Sequence, residues 1–127
     1  MDRPRSLESR EALARAYGDS VLLPEGFIVD EATVWELSKL PDGSTRYRAS
    51  GRMTDSSRVT VIGHEARAGS RGPGQGWEAI ELDRGSGYVK ASRRRVEVVV
   101  EVNGTIVYMG ATWTRDAAVK AARSLAR

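Results

Sequence analysis

Hydrophobic and polar residues alternate most clearly between Val96 and Ala111, where VEVVVEV and TIVYMGA flank Asn103-Gly104. Asn and Gly tolerate the positive φ that both central positions of a type I′ turn require, so the stretch predicts a two-residue hairpin. The turn sets the register. Val102 faces Thr105, Val100 faces Val107, Val98 faces Met109 and Val96 faces Ala111 on one side, which becomes the core face because strand side chains alternate. On the other side Glu101 opposes Ile106, Val99 opposes Tyr108 and Glu97 opposes Gly110, a half-polar surface that is wet or met by another surface. Thr114 then offers a hydroxyl N-cap and Asp116 a first-turn negative charge. Ala118, Ala121, Ala122 and Leu125 follow at helical spacing. Their small side chains let this helix lie close on the valine face.

The remaining elements follow from similar patterning. Residues 6–17 predict a peripheral helix capped by Ser6 and ended by Gly18, a natural left-handed C-terminal residue. The turn Pro24-Glu25-Gly26 leads through Phe27 into one long strand from Ile28 to Leu37. Pro41-Asp42-Gly43 turns the chain into a strand at Thr45, with Tyr47 and Ala49 inward and Arg46 and Arg48 outward. Asp55-Ser56-Ser57 turns it again into residues 58–65. Residues 69–76, GSRGPGQG, read as a mobile loop. Short strands at 77–82 and 88–91 precede the hairpin. The sum is an α+β domain with a mostly antiparallel sheet of about six to seven strands, an N-terminal helix and a C-terminal helix packed on the sheet. Residues 1–20 form the helix or a linker, and residues 21–127 a single domain.

Composition narrows the chemistry. At 127 residues the chain can bury roughly two thirds of its unfolded surface without disulfide or metal staples. No run approaches the roughly 20 apolar residues of a membrane span, and no basic and apolar leader opens the sequence. A membrane association would therefore need a segment that this polypeptide does not contain. Cysteine is absent and histidine occurs once, at His64, so neither a metal site nor a thiolate nucleophile is expected. The glycine-rich loop has no lysine followed by Ser or Thr, and a strand follows it where a phosphate loop needs a helix, so no nucleotide cofactor is expected. His64 cannot be oriented by Glu65, because neighbours in a strand point to opposite faces.

The net charge is only +3. The densest positive run, Arg93, Arg94 and Arg95, could hold phosphates beside Trp77, Tyr88 or Tyr108, which makes a nucleic-acid face one alternative reading. A small enzyme with a carboxylate and tyrosine pocket is another. The leading reading is non-enzymatic: a domain that binds a protein or small ligand through Val99, Ile106 and Tyr108 on the mixed hairpin face and Arg71 in the glycine loop. A homodimer through an exposed sheet face belongs to the same reading.

Two stretches resemble a known family. The start Leu23-Pro24-Glu25-Gly26-Phe27 and the ending from Val107-Tyr108-Met109-Gly110 through Ala121-Ala122-Arg123-Ser124-Leu125 are similar to extracytoplasmic domains of membrane-anchored anti-sigma factors and related bacterial lipoproteins. The resemblance spans residues 21–126 in its order of elements, although no membrane span or sigma-binding segment accompanies it here. It implies a sensing or protein-interaction module outside the bacterial membrane, with no catalytic residues to carry over. A cytoplasmic location is the alternative.

Overall fold

The computed structural model describes residues 3–18, 21–66 and 74–126. In chain order the elements are β1 (Arg5–Leu7), α1 (Arg10–Tyr17), β2 (Phe27–Ile28), β3 (Val34–Lys39), β4 (Thr45–Met53), β5 (Arg58–Glu65), β6 (Glu78–Ile80), β7 (Ser86–Ala91), β8 (Val96–Val102), β9 (Thr105–Ala111) and α2 (Arg115–Leu125). The hairpin of β8 and β9 has the predicted register, from Val96 opposite Ala111 to Val102 opposite Thr105. Its turn carries φ of 49° at Asn103 and 78° at Gly104, the left-handed pair that a type I′ turn demands.

All strands belong to one antiparallel sheet in the order β1-β3-β4-β5-β9-β8-β7-β6. Two meanders, β3-β4-β5 and β6-β7-β8-β9, meet where β5 pairs with β9. The α+β class, the antiparallel sheet and both helices agree with the sequence, but the sheet has nine strands where six to seven were expected. Two departures account for the difference. Residues 5–7 pair with β3, with Leu7 opposite Trp35, although they show no alternation of their own. The long strand expected over Ile28 to Leu37 is split into β2 and β3, both lying along the same edge of β4. The split comes from Asp30 and Thr33. Asp30 Oδ1 accepts the Ala32 N–H at 2.9 Å, and the Asp30 N–H donates to Thr33 Oγ1 at 3.0 Å, which turns the backbone away from the ladder.

The inward side chains of β4, β5, β8 and β9 build the core, with Tyr47, Val61, Val98, Val100, Val107 and Met109 fully buried. Both helices contribute to that same core. α1 packs against β3 and β4, and α2 against β8 and β7. The cap of α1 is Ser9, whose hydroxyl accepts the Ala12 N–H at 3.0 Å, while Ser6 lies in β1. Leu13 is buried completely, so α1 is docked on the sheet. In α2, Thr114 is the N-cap as expected, and Ala118, Ala121, Ala122 and Leu125 are buried, with Val119 beside them.

Two aromatic side chains tie loops to this core. Trp113 Nε1 donates to the Val96 carbonyl at 2.8 Å, fastening the start of α2 to the start of β8. The Tyr47 hydroxyl accepts the Leu22 N–H at 3.1 Å and donates to the Leu22 carbonyl at 2.9 Å, so one phenol satisfies both backbone groups of that residue. The ring fits because residue 63 has no side chain; a Cβ there would collide with it. Tyr17 meets Tyr47 edge-on, with ring centroids 5.0 Å apart.

Candidate interaction face

With both helices on one side, the other side of the sheet is a continuous surface of outward side chains. The strand registers place them in rows. The central row reads Glu36, Arg48, Ile62, Tyr108, Val99, Tyr88, Ala79 across seven adjacent strands, each residue directly opposite the next. Ile62, Tyr108, Val99 and Tyr88 are all half-buried. They form an apolar and aromatic stripe at right angles to the strands. The row on one side runs Ser38, Arg46, His64, Ile106, Glu101, Ser86. The row on the other runs Val34, Ser50, Thr60, Gly110, Glu97, Lys90.

Tyr108 is held by its neighbours on β8. Its hydroxyl donates to Glu97 Oε1 at 2.6 Å, a charge-assisted bond from one residue to a diagonal neighbour across the strand pair. Arg95 reaches over the same spot. Its guanidinium lies above Gly110, where a Cβ would strike it and the Tyr108 hydroxyl. Burial and the bond to Glu97 raise the Tyr108 phenol above its ordinary pKa, and Arg95 opposes them.

The sequence-predicted Val99, Ile106 and Tyr108 therefore share one exposed face, with Val99 directly opposite Tyr108 and Ile106 in the adjoining row. Arg71 lies outside the described residues. The arginine run is divided: Arg93 and Arg94 are exposed in the turn closed by the bond from Ser92 N to the Arg95 carbonyl at 2.9 Å, whereas Arg95 lies on the sheet. Ile62 was missed as a face residue. The signal was present, since Val59, Val61 and Gly63 alternate inward and leave Thr60, Ile62 and His64 outward. His64 has Arg46 and Ile106 across the ladder and its Nδ1 is 3.1 Å from the Glu65 carbonyl oxygen.

Charge is distributed by strand. Outward carboxylates sit on β3 (Glu36) and β8 (Glu97 and Glu101), and outward cations on β4 (Arg46, Arg48 and Arg52), β5 (Arg58, directly opposite Arg52) and β7 (Lys90). Of these, Arg52 is engaged by Asp30 at 3.1 Å. A concave place of about 400 Å³ at the β6–β7 edge of the face is lined in part by Ala79, Ser86 and Tyr88, and two others lie off the face. One of about 460 Å³ between α2 and the β4–β5 turn is lined by Met53, Trp113 and Lys120, and one of about 470 Å³ at the other end of the sheet by Gly43, Glu65 and Asn103. Among the described residues no group of three or more His, Asp or Glu is placed to hold a metal ion.

No protein-family model matches the chain, and neither a curated protein nor a solved structure matches it.

Proposed function

We propose that the protein is a non-enzymatic binding domain whose working surface is the helix-free face of the sheet, and that this face takes another protein. The observation that carries the reading is the half-buried stripe of Ile62, Tyr108, Val99 and Tyr88 in direct register, with no helix among the described residues covering it. Small molecules favour concave sites that surround them, whereas a flat apolar centre with a charged rim is the anatomy of a protein interface. The resemblance at Leu23–Phe27 and Val107–Leu125 supports placing this domain outside a bacterial membrane, as the soluble part of an envelope protein.

A photo-crosslinking residue at position 99, on the face, and at position 120, on the exposed side of α2, tests the reading in cells that make the protein. Protein adducts should form from position 99 and not from position 120. Absence of any adduct at 99 would remove the proposal. Adducts that nuclease digests would replace it with a nucleic-acid face. Steep loss of binding with salt would then be expected, because Arg46, Arg48 and Lys90 would be releasing counterions from phosphates.

A further inference from the structure

The positive charge of the face is gathered at one end of its strands, where β4 ends and β5 and β8 begin. Arg52 on β4 lies directly opposite Arg58 on β5, and Lys90 stands at the same end on β7. The Arg95 guanidinium lies over Gly110 between Arg58 and Lys90, and Arg93 and Arg94 are exposed in the turn that leads into β8. Three carboxylates at this end are already engaged. Asp30 holds Arg52 at 3.1 Å, Glu97 accepts the Tyr108 hydroxyl at 2.6 Å, and Asp55 accepts the N–H and the hydroxyl of Ser57 at 2.9 and 2.6 Å. With Glu31 of the β2–β3 turn they make four carboxylates against six cations, so the excess is positive. Elsewhere on the face the charges balance: Glu36 opposes Arg48 in the central row, and Arg46 and Glu101 share the row beyond it. Like charges directly opposite each other weaken a sheet. Asp30 relieves only the Arg52 half of the Arg52–Arg58 pair, and among the described residues no carboxylate is within ion-pair distance of Arg58.

We propose that the partner of this face is an acidic protein, which sets an apolar side chain on the stripe and Asp or Glu side chains against Arg58 and Arg95. This rests on the reading of the face as a protein-binding surface and deepens it. A guanidinium takes a carboxylate in a bidentate pair, and a carboxylate at Arg58 also relieves its repulsion from Arg52. The register sets the spacing. Successive outward residues of a strand are roughly 7 Å apart. The Gly110 row under Arg95 is one such step from Tyr108, and Arg58 is two steps, roughly 14 Å, from Ile62. An extended partner segment running along the strands therefore needs carboxylates about two and four residues from its apolar anchor. Nucleic acid fits this surface less well. Glu97 opposite Gly110 and Glu36 opposite Arg48 stand where a phosphate chain would run, and Ile62 and Val99 offer no ring for a base to stack on. The same one-ended charge orients an acidic partner during encounter and turns away a basic one.

A display library of random peptides, selected on the immobilised full chain, reads the outcome. Enriched peptides should carry Asp or Glu within about four residues of an aromatic or aliphatic side chain. Calorimetry on a synthetic copy of the strongest should give an affinity that falls with added salt. Arg58→Glu should weaken that peptide by roughly tenfold or more. The same change sets an opposite charge across from Arg52, so the variant keeps its fold, which circular dichroism checks. Lys120→Glu, on the exposed side of α2, should leave the affinity unchanged. Enriched peptides without an acidic bias, no enriched peptide at all, or an affinity indifferent to Arg58→Glu would overturn the inference. So would a random-sequence single-stranded DNA that the chain binds more tightly than the best peptide. Peptides free of acidic bias that Val99→Lys nevertheless abolishes would discard the acidic partner and keep the binding face, whereas peptides that Val99→Lys leaves untouched discard both.

Discussion

Tyr47 and Leu22 are joined by two hydrogen bonds through a single phenol oxygen, which donates to the Leu22 carbonyl and accepts from its N–H. This anchors the segment after α1 to the middle of β4, across 25 residues of sequence. Replacing Tyr47 by Phe keeps the ring in its slot above Gly63 but leaves both backbone groups of Leu22 without their partner. A partly buried donor or acceptor so exposed costs about 1–3 kcal/mol. Urea unfolding of Y47F should show a loss of that size with an unchanged m-value.

The same hydroxyl makes stability fall in alkali. Burial raises the Tyr47 phenol far above the usual tyrosine range, against the lowering effect of its bond with Leu22. A raised folded-state pKa means that the folded chain holds the proton where the unfolded chain has lost it. The contribution is complete below the unfolded value of about 10 and is lost as pH rises beyond it. Urea midpoints measured from pH 8 upward should therefore drop more steeply above about pH 10 in the wild type than in Y47F. A residual slope should persist in Y47F because the Tyr108 phenol is raised as well.

Gly63 and Gly110 give a paired test of the two faces. Both are buried glycines on the central strands, and a methyl group at either would collide with a neighbour. The Tyr47 ring next to Gly63 is locked in the core by packing and by its two bonds to Leu22. The Arg95 guanidinium over Gly110 is the far end of a flexible, exposed side chain. Gly63→Ala should cost about 1–3 kcal/mol through overpacking. Gly110→Ala should cost less, about 1 kcal/mol, because Arg95 can swing aside and the Tyr108 hydroxyl, also in the way, can shift from Glu97 toward solvent. Thermal melts of the two variants decide the order.

Which parts of this were legible in the sequence follows from how local their causes are. The β8–β9 register needed only a strict period of two and the Asn103-Gly104 turn, both contained within 16 residues. The positions of Val99, Ile106 and Tyr108 on one face came with it. β1 was not legible, because a three-residue strand has too few positions for a period and exists through its pairing with β3. The break between β2 and β3 was hidden for a different reason. Residues 28–37 can be read as one strand with Val29, Thr33, Trp35 and Leu37 on one side, although Asp30-Glu31 breaks strict alternation, and the side-chain bonds of Asp30 and Thr33 that interrupt the ladder do not show in such a pattern. The face as a whole was only half visible, since Ile62 and Tyr88 join Tyr108 and Val99 through the order of the strands, which alternation within one strand cannot supply.

The last prediction concerns two consecutive residues of β8. Val98 and Val99 have identical side chains and adjacent backbone, yet Val98 is fully buried beneath the helices and Val99 is half-buried on the open face. Lysine at 98 would bury an ammonium group with no carboxylate beside it, at a cost of several kcal/mol, a large share of the ~5–15 kcal/mol that a domain of this size has in total. Val98→Lys should be unfolded or close to it by circular dichroism. Lysine at 99 can extend its charge into solvent over Tyr88 and Tyr108 while its methylene stem covers them, so Val99→Lys should remain folded within about 1 kcal/mol of the wild type. If the open face binds protein, that folded variant should lose the protein adducts formed from a photo-crosslinking residue at position 106 of the same face, because a lysine at the centre of an apolar stripe must be desolvated on contact. Equal loss of stability at 98 and 99 would mean that a second layer covers the face within the monomer, and the binding surface would have to be sought elsewhere.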